Sequence, residues 1–302
     1  MSCPSLLRHN ALVYESDEEY VDGSVAFLRE GLEAGEACAV GQTRDGISRM
    51  REALGDDADR VAFFDVSSVY TRPAHAVAQY YGTFLTLLRE APSVRAVAEG
   101  QFGFTAADVR EWTTYESITN VAYSHLPVWV VCTYDARRVP DALIDAMWET
   151  HSHVHADEWR TSEHFEDPRD LVSRLTPAPE PLPGLRSLPV VRDVDSFHES
   201  LARELGRENL TADVAMNVLV ACTEIAANAF RHGGGIEEVR VGQVDARFVC
   251  EVVDRGSGFD DPLAGYLAPR EGVGAGLWVA RQLSWRLDAF QSPAGFSVRI
   301  WV

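Results

Sequence analysis

Three short runs near the C-terminal end decide the reading: Glu224-Ile-Ala-Ala-Asn228-Ala-Phe-Arg231-His232-Gly233, Asp254-Arg-Gly256-Ser-Gly258 and Gly272-Val-Gly274-Ala-Gly276-Leu277. The first sets a carboxylate and a carboxamide one helical turn apart. The second ends a strand-patterned segment with an acid and a flexible turn, and the third opens a helix-patterned segment with glycines. From Val214 to Phe230 the chain is mostly apolar, yet Asn217, Glu224, Asn228 and Arg231 recur at spacings of seven, four and three, so they share one helix face. A polar stripe on such a helix needs polar partners. Solvent or a neighbouring loop would supply them; so would magnesium with phosphate oxygens, since that hard cation prefers oxygen ligands.

Working outward, Phe248, Cys250, Val252 and Asp254 fall in one alternation phase and Glu251 in the other. Asp254 thus continues an inward-facing row, where a carboxylate must find donors, and the exocyclic amine of adenine is one. Gly256 and Gly258 let the main chain approach a base closely. Acid-glycine turns are common in isolation. The glycines at 272, 274 and 276 precede a helix that begins near Leu277, and free amides at a helix start can cradle phosphates. A dinucleotide fold would instead place GxGxxG directly after the first strand of a βαβ unit, which this context does not offer. The chain contains no lysine, so all 27 of its cations are arginines. That excludes a P-loop and Schiff-base chemistry. The three runs together suit ATP with magnesium, gripped without a lysine.

A length of 302 residues with 46% hydrophobic content predicts two domains, each with its own core. The formal charge of −19 argues against nucleic acid as a partner, because phosphate backbones are gripped by clustered cations. No window approaches the roughly 20 consecutive apolar residues of a membrane span, and Met1-Ser-Cys-Pro4 does not resemble a signal peptide. A cytoplasmic protein without membrane contact is expected. Five cysteines, Cys3, Cys38, Cys132, Cys222 and Cys250, lack CxxC spacing and read as buried reduced thiols.

Thr176 to Gly184 carries four prolines and reads as a semi-rigid linker. It divides the chain into residues 1–175, a linker at 176–187 and a second domain at 188–302. In the first part, apolar runs at 11–14, 37–40, 61–64, 94–97 and 128–132 alternate with helical patterns at 20–34, 74–88 and 106–122. This predicts an α/β domain around a mostly parallel sheet. In the second part, helices near 196–205 and 212–231, strands near 239–244 and 247–254, a helix near 276–284 and strands near 286–291 and 296–301 predict an α+β two-layer sandwich.

From about Leu188 to Val302 these motifs resemble the GHKL ATPase domain, the Bergerat ATP-binding fold shared by gyrase, histidine kinases and anti-sigma-factor serine kinases. The run Gly276-Leu-Trp-Val-Ala-Arg-Gln-Leu283 is most similar to the anti-sigma kinases. The resemblance implies ATP and Mg2+ as cofactors, with Asn228 on magnesium and Asp254 on adenine. Gly256, Gly258, Gly272, Gly274, Gly276 and Leu277 would wall the base and phosphates, with Arg231 and His232 nearby. Glu224 would be the general base that deprotonates an attacking serine. The implied partners are a sigma factor and a STAS-domain anti-anti-sigma protein, with pairing into a homodimer a family expectation. An ATP-binding regulator without phosphotransfer, or a relative of the histidine kinases, is the alternative. Phe197-His198-Glu199-Ser200 superficially resembles a phosphoacceptor box, but about thirty residues between His198 and Asn228 leave no room for a dimerisation stalk.

The first part carries His9-Asn-Ala-Leu-Val-Tyr14, Gly31-Leu-Glu-Ala-Gly-Glu36, Val97-Ala-Glu99, Glu111-Trp112, Glu116-Ser-Ile-Thr-Asn120, Cys132-Thr-Tyr134-Asp135 and Thr150-His151. These resemble the MEDS sensory domain over roughly Leu7 to His155. The resemblance implies a RecA-like α/β fold without a P-loop and a role in ligand sensing. His9, Glu99, Tyr134, Asp135 and His151 are the candidate ligand residues, as each lies at or beside the predicted end of an element. His151, His153, His155 and His164 invite a metal reading that spacing alone does not carry. Glu116 and Asn120 repeat the ExxxN spacing, but no glycine runs follow.

Overall fold

A computed structural model describes residues 5–69, 72–100, 103, 105–156, 158–176, 180–189, 191–269 and 274–302. The chain divides into two compact units, Met1–Leu175 and Thr176–Val302.

In the first unit the elements run β1 (Arg8–Tyr14), α1 (Asp17–Glu33), β2 (Ala37–Gln42), α2 (Arg44–Leu54), β3 (Val61–Asp65), α3 (Pro73–Leu87), β4 (Val94–Glu99), α4 (Ala106–Ala122), β5 (Val128–Asp135), α5 (Asp141–Thr150), β6 (His153–His155), β7 (Trp159–Thr161) and α6 (Pro168–Leu175). The sheet order is β3-β2-β4-β5-β1-β6-β7, and every neighbouring pair is parallel except β6 with β7. This is the mostly parallel α/β sheet that the alternating pattern predicts. The central strands are buried along nearly their whole length, as sheets covered on both faces require. Thr105 opens α4 with a capping box: its hydroxyl accepts from the Asp108 amide, and the Asp108 carboxylate accepts from the Thr105 amide. This helix is unusual inside, burying Glu111, Thr113, Thr114, Glu116, Ser117 and Thr119 beside its aromatics. Buried polar groups on that scale demand partners in the sheet beneath.

In the second unit the order is β8 (Arg186–Ser187), α7 (Val194–Leu205), α8 (Ala212–His232), β9 (Ile236–Val244), β10 (Arg247–Asp254), α9 (Gly276–Leu283), β11 (Arg286–Ser292) and β12 (Gly295–Trp301). The antiparallel sheet runs β11-β12-β10-β9-β8. Helix α8 packs against α7, α9 and the sheet. Phe197 and Leu201 of α7 join Val218, Cys222 and Ile225 of α8 over Val241, Phe248, Cys250, Val252, Val298 and Ile300. Leu201 is fully buried, so its truncation to alanine would cost about 2–5 kcal/mol. Of the predicted inward row of β10, Phe248, Cys250 and Val252 lie in this core and Asp254 is half-buried at its end. The short β8 falls within the stretch read from sequence as linker and pairs with β9; residues 177–179 of that stretch lie outside the described residues.

By length and mean hydropathy, 1.2 over its best window, α8 passes as a membrane-span candidate, which the sequence reading did not anticipate. Its apolar residues Val218, Ala221, Cys222, Ile225, Ala226 and Ala229 are spent on the core of the sandwich. Cys38, Cys132, Cys222 and Cys250 are free and buried, and Cys3 lies outside the described residues.

Candidate functional site

Helix α8 starts at Thr211, whose hydroxyl accepts from the Val214 amide at 3.4 Å, and its polar stripe emerges half-buried at Asn217, Glu224 and Asn228. Gly276, the first residue of α9, comes down on that stripe. A Cβ there would lie 2.7 Å from Glu224 Oε2 and 3.5 Å from Asn228 Oδ1, so only a bare main chain fits unless the carboxylate moves aside. The N-cap residue of α9 is Ala275, and among the described residues no side chain caps the helix. Its first amides are therefore left for another acceptor, and such groups favour anions.

The other end of α8 is tied to the turn after β10. Arg255 donates its amide to the Gly233 carbonyl at 2.9 Å, and a Cβ on Gly233 would stand 2.3 Å from Asp254 Oδ2. Asp254 follows a register shift at the end of β10, and its Oδ1 accepts from the Gly256 amide at 2.7 Å. Burial raises its carboxyl pKa, with the Gly256 amide acting in the opposite sense. Gly258 holds φ +72° with its Cα against the Phe296 ring.

The structure thus gathers Glu224, Asn228 and Gly276 at one point and Gly233, Asp254 and Gly256 at another, with α8 as the common support. Leu277 packs against Gly265 and the core of the sandwich. Arg281, buried, donates to the carbonyls of Ala264 and Leu287 and stacks on Tyr266, tying residues 264–266 to α9. Arg231 and His232 are exposed in the last turn of α8, Gly274 is exposed, and Gly272 lies outside the described residues.

The five sensory candidates separate into two groups. Glu99 and Asp135 stand at the carboxyl ends of β4 and β5 and line a cavity of about 300 Å³ with Tyr14, Gln42 and Arg137. Tyr14 donates to Glu99 at 3.2 Å, and burial raises the pKa of both. Asp135 is held by Arg137 Nε at 2.7 Å and Nη2 at 2.8 Å, which lowers its pKa. His9, Tyr134 and His151 instead converge on Glu116, with Tyr134 donating to its Oε1 at 3.2 Å. Glu116 and Cys132 are the residues that sequence reasoning set aside. Cys132 and Tyr134 share one phase of β5, and that phase faces the ExxxN turn of α4.

Residues 8–152 match the family described as MEDS, the methanogen/methylotroph DcmR sensory domain, and residues 190–301 match the histidine kinase-like ATPase domain. The chain joins a MEDS domain to a histidine-kinase-like ATPase domain. No curated protein matches it. Among solved structures it is similar to the cytoplasmic domain of EssC, at 17% identity over 59% of this chain and 35% of that one, with a TM-score of 0.28. The chain spans about a third of that neighbour's length. The ATPase domain implies ATP binding, and both groups of residues fall within the range matched to it.

Proposed function

We propose that the ATPase domain is an ATP-dependent serine kinase of the anti-sigma type, controlled by the MEDS domain and acting in the cytoplasm on a STAS-domain anti-anti-sigma partner, with a sigma factor as the protein it sequesters. The observation that carries this is the meeting of Glu224, Asn228 and Gly276. It sets a carboxylate beside an amide oxygen suited to Mg2+, under the uncapped start of a helix.

The residues fit the nucleotide. Asp254 keeps Oδ2 for a donor such as the adenine amine, Asn228 and Glu224 offer oxygen to the cation, and the first amides of α9 face the anionic end. Bound ATP-Mg2+ would supply the phosphoryl group and neutralise its charge. Glu224 would accept the proton of the partner's serine hydroxyl, a contribution of roughly 10²–10⁴-fold for a positioned base. The remaining catalysis is alignment and charge stabilisation. His198, exposed on α7, is engaged with Thr223 of α8 at 3.3 Å and is ordinary helix surface in this reading.

The test is incubation of the full chain with γ-labelled ATP and candidate STAS partners. Acid-stable label on a partner serine, lost in Glu224→Gln while ATP still binds, is the expected result. Acid-labile label on a histidine would overturn the assignment, and binding without transfer to any partner would favour an ATP-holding regulator.

A further inference from the structure

In the MEDS domain four potential ligand atoms, His9 Nε2, Glu116 Oε2, Cys132 Sγ and His151 Nε2, all lie within 4.8 Å of one another. Their side chains are buried, His151 completely. His9 Nε2 stands 3.2 Å from Glu116 Oε2 and 3.4 Å from Cys132 Sγ; Glu116 Oε2 is 3.6 Å from Cys132 Sγ and 3.8 Å from His151 Nε2. Bonds of about 2.0–2.1 Å to nitrogen or oxygen and about 2.3 Å to sulfur give a tetrahedron whose edges are roughly 3.3–3.6 Å. The four measured separations lie close to those edges.

The proton inventory points the same way. His151 Nδ1 sits 3.1 Å from the Met147 carbonyl, which can only accept, so Nδ1 carries the hydrogen and Nε2 a lone pair. Asn120 Nδ2 donates to the Thr150 and Glu116 carbonyls, which turns its Oδ1 toward His9 Nδ1 at 3.1 Å. In the neutral imidazole, His9 Nε2 then also presents a lone pair. Tyr134 satisfies Glu116 Oε1 from outside and leaves Oε2 to the centre. In this arrangement two imidazole lone pairs, a carboxylate oxygen and a sulfur face one another with the Cys132 thiol as the only proton between them. Among the described residues His151 Nε2 has no hydrogen-bond partner, although it is buried and aimed into the cluster. Carbonyl and amide acceptors behind ligating histidines are the outer shell that metal sites use to fix tautomer and ring orientation.

We propose that His9, Glu116, Cys132 and His151 bind one borderline divalent metal ion of the zinc class in a closed tetrahedral site, with Asn120, Tyr134 and the Met147 carbonyl positioning the ligands. Two nitrogens, a thiolate and one carboxylate oxygen suit zinc and not the all-oxygen cations calcium or magnesium. On coordination the Cys132 thiol gives its proton to solvent. The ion would join β1, α4, β5 and the end of α5, and so couple the centre of the sheet to the helices above it. This inference does not rest on the kinase reading.

The experiment uses the full chain, stripped with chelator and incubated with zinc or cobalt(II), then dialysed. Expected are one equivalent of metal per chain, a tetrahedral cobalt spectrum with a thiolate charge-transfer band, and a higher melting temperature than the stripped protein. Cys132→Ser should abolish the charge-transfer band, and Asn120→Ala should weaken metal affinity about 10–100-fold. Far-UV circular dichroism matching the stripped wild-type chain reports that a variant's MEDS domain is folded. Should a variant fail to fold, the wild-type cobalt spectrum still decides. Overturning results are uptake below half an equivalent, an octahedral spectrum, or a thiolate band that survives Cys132→Ser; any of these leaves the cluster as a buried His–Glu ion pair.

Discussion

Gly276 and Glu224 stand so close that a Cβ on the glycine would lie 2.7 Å from the carboxylate oxygen Oε2. The atom it would meet is the tip of a flexible side chain, so Gly276→Ala should turn Glu224 aside without unfolding the domain. Its expected signature is a loss of phosphotransfer approaching that of Glu224→Gln, with a melting temperature close to wild type. A variant that transfers phosphate at the wild-type rate would separate Glu224 from the chemistry.

Asp254 yields a pH prediction. Burial raises its carboxyl pKa, so the folded chain holds that proton more tightly than the unfolded one; this contribution to stability is present at low pH and lost as pH rises through the folded value. In the proposed site the ionised form is the one that would accept from adenine. ATP affinity should therefore fall on acidification, and at a higher pH than an ordinary aspartate near 3.9 would impose. Asp254→Asn should abolish the stabilisation by nucleotide, about 2.7 kcal/mol at a hundredfold excess over Kd. It should not lower the neutral-pH melting temperature of the apo chain. Titration calorimetry across pH and thermal melts with and without ATP check both.

What was legible in the sequence follows from how local each signal is. The ATPase motifs are contiguous, and α8 and β10 carry strong apolar periods, so both the sandwich and the residues on α8 could be placed. Helix α2 escaped because nearly half of its residues are charged and it buries only Gly46, Met50 and Leu54. Strands β6 and β7 have three residues each, too short to show a period. The buried cluster escaped for another reason: its four donors come from four separate elements. His151, His153, His155 and His164 looked like a metal motif because they are near in sequence, yet only His151 joins a ligand group among the described residues. The ExxxN turn of α4 looked like an ATP decoy, and its glutamate stands at the centre of that group.

Glu251 sits on the face of β10 opposite the Asp254 row, 1% exposed, with Arg240 Nη2 at 2.5 Å and Arg299 Nε at 2.7 Å. Glu251→Ala would strand the buried Arg299 guanidinium, which breaking a buried pair prices at about 3–5 kcal/mol. Urea unfolding should show that loss. The ATP-induced stabilisation of the folded fraction should persist, because the residues proposed to hold nucleotide lie on α8, at the end of β10 and at the start of α9. A variant as stable as wild type would mean that solvent reaches this pair.

Arg137 reaches both Asp135 oxygens and, through Nη2, Asp17 at 2.8 Å. The hydrogen bonds from Arg137 come first among the causes that lower the Asp135 pKa. A depressed carboxyl pKa contributes stability that is present above the unfolded value and lost as pH falls through the folded one. Arg137→Ala should therefore melt earlier than wild type at neutral pH, with the gap narrowing as pH drops below the ordinary aspartate range. Because this pair walls the cavity at the ends of β1, β2, β4 and β5, the same variant should alter any small ligand's stabilisation of the MEDS domain while leaving ATP affinity unchanged. Melts from neutral to acid pH test the first point, since a constant gap between the two proteins would show that the Asp135 proton is not linked to Arg137.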